Sequence, residues 1–480
     1  MTERRCQQVL AVKPNSYYAK YMKQAITVEE MKAFFGLRLY MEYFVVKRSY
    51  ASYWTSDGKN FVGETPGFND VMCRDRFLAI WSFLKVMDEE DPTIDKTDKI
   101  YKVRCFFNDL IEKFQRYYRP HKHLSLDEAM IPSKNRLSIK QYIKDKPVKW
   151  GIKSFLLTDA ENGYIMNSEI YTGSESILYP ELGATGNVVA RLLRSADLHG
   201  KGHVLVMDRY YNSVSLFEHL HREQKTLAVG TAMSNRKFFP KDLKLGKKAA
   251  RGEMDFQCRQ NISVCVWQDR KPIMFLSNYH DPTDAQVTNR RNKDGTQIQL
   301  PIPKAAKDYN QYMGGTDLND QMTRLQKSRK HYRWPKRLIV KGLMWSIYNA
   351  YVIFRHTKQD TITKMPPFID FLEGICTSLV GAHRSQAAKR ARRVDTEERL
   401  QNVGLHMPEF SQEEKSNHEC VVCTKKHKNC KSANPNTPYK DLPVKRSKTC
   451  VFCSECKVFL CLKKGTTCWS DYHLKVEYWR

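Results

Sequence analysis

Apolar positions recur every three or four residues in MKAFFGLRLYMEYF (31–44), FLAIWSFLKVM (77–87) and CFFNDLIEKFQRYY (105–118). That spacing predicts helices over residues 1–120. From about residue 121 the period shortens. LSLDEAM (124–130), GIKSFLLTD (151–159) and YIMNSEIY (164–171) read as strands, the last two joined by a turn at Glu161-Asn162-Gly163. NVVARLLRSA (187–196) reads as a helix and HVLVMD (203–208) as a fully buried strand. SVSLFEHLHRE (213–223) reads as a helix opened by Ser213, and TLAVGTAM (226–233) as another buried strand. The order β-β-β-α-β-α-β, followed by a helix near 315–322, is that of an α/β, ribonuclease-H-like core.

Residues 234–308 are too many for a plain loop. Within them MDFQCRQNISVCVWQD and KPIMFLSNY have β character, which predicts an inserted β-rich subdomain. LIVKGLMWSIYNAYVIF (338–354) returns to helical spacing. The expected division is therefore a helical region at 1–120, an α/β domain at 121–325 with the insertion, a second helical part at 326–385, a basic and polar linker at 386–417, and a cysteine-rich segment at 418–480.

Three segments each set an aspartate at the end of an apolar run: Asp127 in LSLDEAM, Asp208 in VLVMDRYYNS and Asp317 in MGGTDLNDQM. Two-metal phosphoryl transfer needs several carboxylates around one point, with the cations about 4 Å apart. Magnesium favours carboxylate oxygens. Asp317 and Asp320 are three positions apart, hence on one helical face, and the first turn of a helix suits a negative charge. Singly, each aspartate reads as a turn residue or a cap. Three of them in this element order predict a site for hard divalent cations, Mg2+ or Mn2+.

Charge narrows the substrate. The 480 residues carry a net charge of +28, and such a surface attracts polyanions. No run approaches the roughly 20 apolar residues of a membrane span, and MTERRCQQVL lacks a signal-peptide core. Nucleic acid is the favoured partner, and no membrane is expected. In the run RKHYRWPKR, Arg329, Lys330, Arg333, Lys336 and Arg337 are candidates for phosphate contact. Trp334 is a candidate for stacking on an unpaired base, worth about 1–3 kcal/mol. The competing reading packs Trp334 in the helical domain beside a solvated charged face. Lys134, Arg136, Lys140, Lys144, Lys146, Lys149 and Lys153, interspersed with Tyr142 and Trp150, form a second candidate track for a DNA backbone, or plain surface charge.

Six of the fourteen cysteines are scattered through the first 380 residues, and eight lie between Cys420 and Cys468. Cys420-x2-Cys423, Cys453-x2-Cys456, then Cys461, Cys468 and His473 have zinc-ligand spacing. A segment with little core needs the binding energy of such a site to fold. Disulfides are disfavoured without a secretory leader.

The chain resembles the piggyBac transposases and their domesticated descendants. The matching stretches are FFGLRLYMEY (34–43), SLDEAMIPSKNRLSIKQYIKDKPVKWGIK (125–153), VMDRYYNS (206–213), DYNQYMGGTDLNDQM (308–322) and RWPKR (333–337), with the terminal cysteine cluster. The resemblance implies that Asp127, Asp208 and Asp317 form a catalytic triad assisted by Asp320. It also implies hydrolysis of one DNA strand at a transposon end, attack of the freed 3′-hydroxyl on the opposite strand to give a hairpin, and joining at TTAA targets. A homodimer working on double-stranded inverted repeats in the nucleus follows, with the helical parts in dimerisation and DNA binding.

For the cysteines, the resemblance implies a two-zinc cross-brace that recognises DNA. Seven ligands match its pattern; Cys430 and His427 are the nearest choices for the eighth, and Cys450 is surplus. One departure is that family members usually begin with a long acidic segment, whereas here helices start almost at once. A fragment, a shortened gene or a domesticated derivative fits that difference. The alternative function is thus a transposase-derived nuclear DNA-binding protein without transposition. A third reading, a chromatin reader or ubiquitin ligase acting through the zinc module, is opposed by the charge and the aspartates.

Overall fold

The computed structural model describes residues 2, 7–8, 11, 19–22, 24–44, 50–54, 67–133, 135–144, 146–173, 177–292, 294–325, 333–381, 383, 400, 406–411 and 418–479. The chain forms two compact units, 1–383 and 384–480. Among the described residues no helix is long and apolar enough to cross a membrane.

The first unit opens with helices α1 (Val28–Tyr43), α2 (Phe68–Val71), α3 (Arg74–Phe83) and α4 (Tyr101–Tyr117). Thr27 starts α1 by accepting the Glu30 amide at 3.1 Å, and Glu29 and Glu30 lie in its first turn, where the helix dipole favours them. The apolar spacing buries Phe34, Phe77, Ile80 and Phe107 in one core, each contributing about 1.5–3 kcal/mol.

Nine strands then build one sheet: β1 (His123–Pro132), β2 (Lys140–Tyr142), β3 (Trp150–Asp159), β4 (Ile165–Ile170), β5 (Val204–Met207), β6 (Leu227–Ala232), β7 (Met254–Arg259), β8 (Ile262–Gln268) and β9 (Pro272–Ser277). Their order is β2-β3-β1-β5-β6-β9-β8-β7, with β4 also paired to β3. The central strands β1, β5 and β6 run parallel, with Leu126 opposite Met207 and Met207 opposite Gly230. All other pairs in the sheet are antiparallel. Strands β3 and β5 are buried on both faces; β5 is a continuous apolar run, whereas β3 also buries Lys153, Ser154, Thr158 and Asp159. Helix α5 (Gly183–Ser195) leads from β4 to β5 and α6 (Val214–Arg222) from β5 to β6, and Ser213 caps α6 by accepting the Leu216 amide at 3.2 Å.

The fold is therefore mixed α/β. The expected order appears as β1, β3, β4, α5, β5, α6, β6, with short β2 added. The stretch from 234 is β-rich, and part of it joins the main sheet. Strands β7, β8 and β9 continue the main sheet, because β9 pairs antiparallel with β6 and closes its open edge. Only β10 (Ala285–Arg291) and β11 (Gln297–Pro303) form a separate ribbon. Helices α7 (Lys304–Tyr312), α8 (Gly315–Met322), α9 (Trp334–Lys358) and α10 (Phe368–Val380) complete the unit. Buried Asn349 on α9 binds the sheet like another strand, accepting from Ile165 N at 2.9 Å and donating to its carbonyl at 3.0 Å.

The second unit contains β12 (Pro408–Phe410), β13 (His418–Glu419), α11 (Val421–Ala433), β14 (Lys448–Thr449), β15 (Val451–Cys453) and α12 (Cys468–Leu474). Its buried cluster is largely cysteine, with Val422, Leu460 and Tyr472. Part of the stretch expected to be linker belongs here, since β12 pairs with β15. The basic run 389–393 lies outside the described residues.

Candidate functional site

Asp127 is buried inside β1 rather than at its end, one position beyond the last residue pair shared with β5. Asp208 is the first residue after β5. The parallel register thus puts both at the same edge of neighbouring strands, where open α/β sheets hold their sites. Asp317 enters from the first turn of α8.

That helix is fixed by a chain of polar contacts. Ser125 Oγ donates to the Met313 carbonyl at 2.7 Å, Asn319 Nδ2 donates to the Gly163 carbonyl at 3.0 Å, and Thr158 Oγ1 meets Thr316 Oγ1 at 3.3 Å. Gly315 is required by the close approach: a Cβ there would lie 2.8 Å from both the Asp159 carbonyl and Thr158 Oγ1. Asp320 turns to Lys341, whose fully buried ammonium donates to Asp320 Oδ1 at 3.2 Å and to Thr323 Oγ1 at 2.8 Å.

Lys146, expected in a surface track, instead reaches inward from the turn between β2 and β3. Its Nζ lies 2.8 Å from Asp127 Oδ2 and 3.9 Å from Asp317 Oδ1. Burial alone would lower its pKa, but the Asp127 charge and hydrogen bond, with Asp317 and Glu128, hold it above the ordinary lysine value.

The carboxylates act on one another. Burial and the Asp127 charge raise Asp208, against the Tyr210 amide and Lys146. Burial, Asp127 and Asp320 raise Asp317, against Lys146. Neighbouring Glu128 is pushed up to about 7 by burial and by Asp127. An all-oxygen donor set that already holds a cationic group has the chemistry of a hard-cation site. It is wider than the thiol and imidazole groups described below, whose ligand atoms all lie within 4.8 Å of one another.

The basic run after α8 is used differently from expectation. Lys336 is buried, its ammonium donating to the Trp81 carbonyl and, at 3.1 Å, to the Ser82 carbonyl; Arg333 Nη1 donates to the same Ser82 oxygen at 2.8 Å. These are carbonyls at the C-terminal end of α3, which lack helical partners. Arg337 is buried and pairs with Glu42 Oε1 at 2.7 Å. Lys336 and Arg337 are therefore corrected from phosphate contacts to internal ties, because their charges are consumed inside the helical core. Arg333 is exposed, and Trp334 is half-buried against that core. Arg329 and Lys330 lie outside the described residues.

The second unit gathers two groups. Cys420, Cys423, Cys461 and Cys468 form one; His406, Cys453, Cys456 and His473 form the other. In the first, Cys423 Sγ lies 3.5 Å from Cys468 Sγ and 3.9 Å from Cys461 Sγ. In the second, His406 Nδ1 is 3.4 Å from Cys453 Sγ and 3.2 Å from Cys456 Sγ, and Cys456 Sγ is 3.7 Å from His473 Nε2. Tetrahedral bonds of about 2.3 Å to sulfur and 2.0–2.1 Å to nitrogen require edges of about 3.8 Å and 3.5 Å. Both groups fit a tetrahedral ion.

The surroundings prepare these ligands. His473 Nδ1 bonds the Trp469 carbonyl at 2.9 Å, which directs Nε2 at the group. A hydrogen bond from Cys468, then the amides of Cys423 and Cys461, hold the Cys420 thiol well below the usual range, toward the ligating thiolate.

Seven of the eight expected ligands fall in these groups. Cys430 does not: it sits near the end of α11, and His406 takes the eighth place. His427 and exposed Cys450 are also outside both groups. His406 was missed because its neighbours read as linker. The signal available was arithmetic: seven matched ligands leave one of two tetrahedral ions short.

The class of the protein, a transposase, is shown by comparison with known families. A profile of the family described as "Transposase IS4" matches residues 8–351. The chain belongs to that family, in its piggyBac branch. It is 27% identical over 376 residues to human piggyBac transposable element-derived protein 3, covering 76% of this chain and 60% of that protein. It is 25% identical over 400 residues to human piggyBac transposable element-derived protein 2, covering 81% and 65%. The match thus spans under two thirds of the length of each. A cryo-EM structure of a piggyBac transposase synaptic complex with hairpin DNA superimposes with a TM-score of 0.66 at 22% identity, covering 95% of this chain and 91% of the other. That likeness establishes the fold.

Proposed function

We propose that the chain is a piggyBac-type DNA transposase, cutting and joining double-stranded DNA by metal-dependent phosphoryl transfer. The observation that carries this reading is the pairing of Lys146 with both Asp127 and Asp317, from separate elements, while Asp208 ends the strand that lies parallel beside Asp127. On this reading the first unit has a ribonuclease-H-like catalytic core at 121–325, flanked by helical parts at 1–120 and 326–385. Asp127, Asp208 and Asp317 would hold Mg2+ or Mn2+, which when bound supplies charge neutralisation at the reacting phosphate and activation of the attacking oxygen.

Asp320 acts through Lys341 and the helix, keeping Asp317 in position. The site's carboxylates accept the proton released as water attacks phosphorus and the P–O3′ bond breaks. The freed 3′-hydroxyl then attacks the opposite strand to make a hairpin, and joining follows at TTAA. Arg333 and Trp334 flank the DNA track, together with Arg329 and Lys330. The second unit holds two Zn2+ ions and contacts the inverted repeat. A homodimer in the nucleus suits paired DNA ends.

The test uses the full chain, Mg2+ and labelled duplexes carrying inverted repeats flanked by TTAA. Hairpin products that vanish in Asp208→Ala support a transposase. Tight duplex binding with no products would instead support a transposase-derived DNA-binding protein. Neither binding nor products would remove both readings.

A further inference from the structure

Lys146 is the one basic side chain among the described residues that forms ion pairs with both Asp127 and Asp317, and its position deepens the reading just given. Asp208, which ends the strand that lies parallel beside Asp127, is at the same edge of the sheet. The Lys146 ammonium holds Asp127 Oδ2 at 2.8 Å, an oxygen that a magnesium ion would take at about 2.0–2.1 Å. A lysine ammonium and a divalent cation sharing that oxygen would repel each other across so short a gap.

The carrier of Lys146 is slight. β2 has three residues, paired as Lys140 with Ile152, Gln141 with Gly151 and Tyr142 with Trp150, and the turn is closed by Ile143 N donating to the Lys149 carbonyl at 2.9 Å. Tyr142, Lys144, Lys149 and Trp150 around it are exposed.

We propose that Lys146 is a positioning residue that exchanges places with a divalent cation. With the ammonium in place, it ties α8 to β1 and keeps the carboxylates from repelling one another apart. On metal entry the ammonium leaves Asp127 and joins Lys144 and Lys149 at the exposed tip. There three positive side chains grip a DNA phosphate beside the reacting centre. Metal loading and DNA grip are thereby coupled: the ion that completes the site also releases the charge that holds its substrate.

The inference rests on the reading of Asp127, Asp208 and Asp317 as metal-holding, and the experiment separates the two. Full chain with zinc-loaded C-terminal groups is treated with an amine-acylating reagent, with and without Mn2+, and labelling is read by mass spectrometry. Lys146 labelling is expected to rise several-fold with Mn2+ while Lys149 stays constant. In a parallel Mn2+ titration read by electron paramagnetic resonance, Lys146→Gln and Lys146→Met are expected to bind Mn2+ about tenfold tighter than the parent. Unchanged Lys146 labelling at saturating Mn2+, or variants that bind no tighter, would overturn the exchange while leaving the metal site intact. Mn2+ binding that Asp208→Asn does not weaken would overturn the metal reading and the exchange together. The labelling experiment uses unaltered protein, so its outcome does not depend on a variant folding.

Discussion

His406 and Cys430 give the sharpest division between what spacing and geometry expect of the second unit. His406→Ala removes one of four ligand atoms from a group whose N···S and S···N separations are 3.2–3.7 Å, whereas Cys430→Ala removes none. A structural zinc site in a small module contributes roughly 10–16 kcal/mol to folding. Whole domains are stable by about 5–15 kcal/mol, and apart from cysteines the buried hydrophobic residues among the described residues of this unit are Val422, Leu442, Val451, Leu460 and Tyr472. Loss of one site therefore outweighs any margin such a core can hold.

The parent should carry about two zinc ions per chain, since two groups are present, and the His406→Ala chain about one. The second unit of that variant should become rapidly cleavable by protease. Cys430 is half-exposed, so its replacement should shift stability by no more than about 0.5 kcal/mol and leave the metal content unchanged. Elemental analysis of purified full chain, paired with limited proteolysis, reads both. A His406→Ala protein that keeps two zinc ions, or a Cys430→Ala protein that loses one, would refute the assignment.

Three further outcomes are expected. Asp208→Asn should slow strand cleavage by about three orders of magnitude or more in single-turnover assays while DNA affinity changes little, because the carboxylate serves the reaction rather than the grip. Gly315→Ala must displace α8 from the Asp159 backbone, costing about 1–3 kcal/mol in denaturant unfolding, and cleavage should fall further than stability alone explains. Burial and the nearby Arg333 charge push Lys336 down to about 7 from 10.5, so between those values the unfolded chain binds a proton that the folded chain does not. Stability should rise with pH across that window, by up to about 1.4 kcal/mol per unit, and this contribution should be flat below 7. The rise should be smaller in Lys336→Met, and a parent and variant whose unfolding free energies from urea titrations change equally between pH 7 and 9 would count against it.

Much of the core was legible because its elements bury continuous apolar runs of distinctive period. HVLVMD and TLAVGTAM could only be covered strands, and they lie parallel at the sheet centre. The registration of Asp127 with Asp208 was less visible, since pairing between strands far apart in sequence leaves no local mark. The continuation of the sheet through β9 was hidden for the same reason. Charged residues misled most. Lys146, Lys336 and Arg337 look identical to surface residues in a chain of net charge +28, and only packing shows that each satisfies a particular carboxylate or carbonyl. Cys430 was chosen only as a nearby cysteine to complete the eight ligands the resemblance implies, whereas His406 lies within a polar stretch.

The bond from Ser125 to the Met313 carbonyl spans 188 positions, and the intervening chain includes the strands that lengthen the sheet beyond β6. Closing so long a loop delays the reward of its contacts. β1 and β5 can pair, and so align Asp127 with Asp208, before β7, β8 and β9 are laid down; α8 can dock only after them. During synthesis the chain would therefore carry two aligned aspartates without the third until more than two thirds of it has emerged. A nascent or truncated product would hold a sheet with two of the three aspartates aligned, and the third would join them in the last cooperative step rather than by degrees.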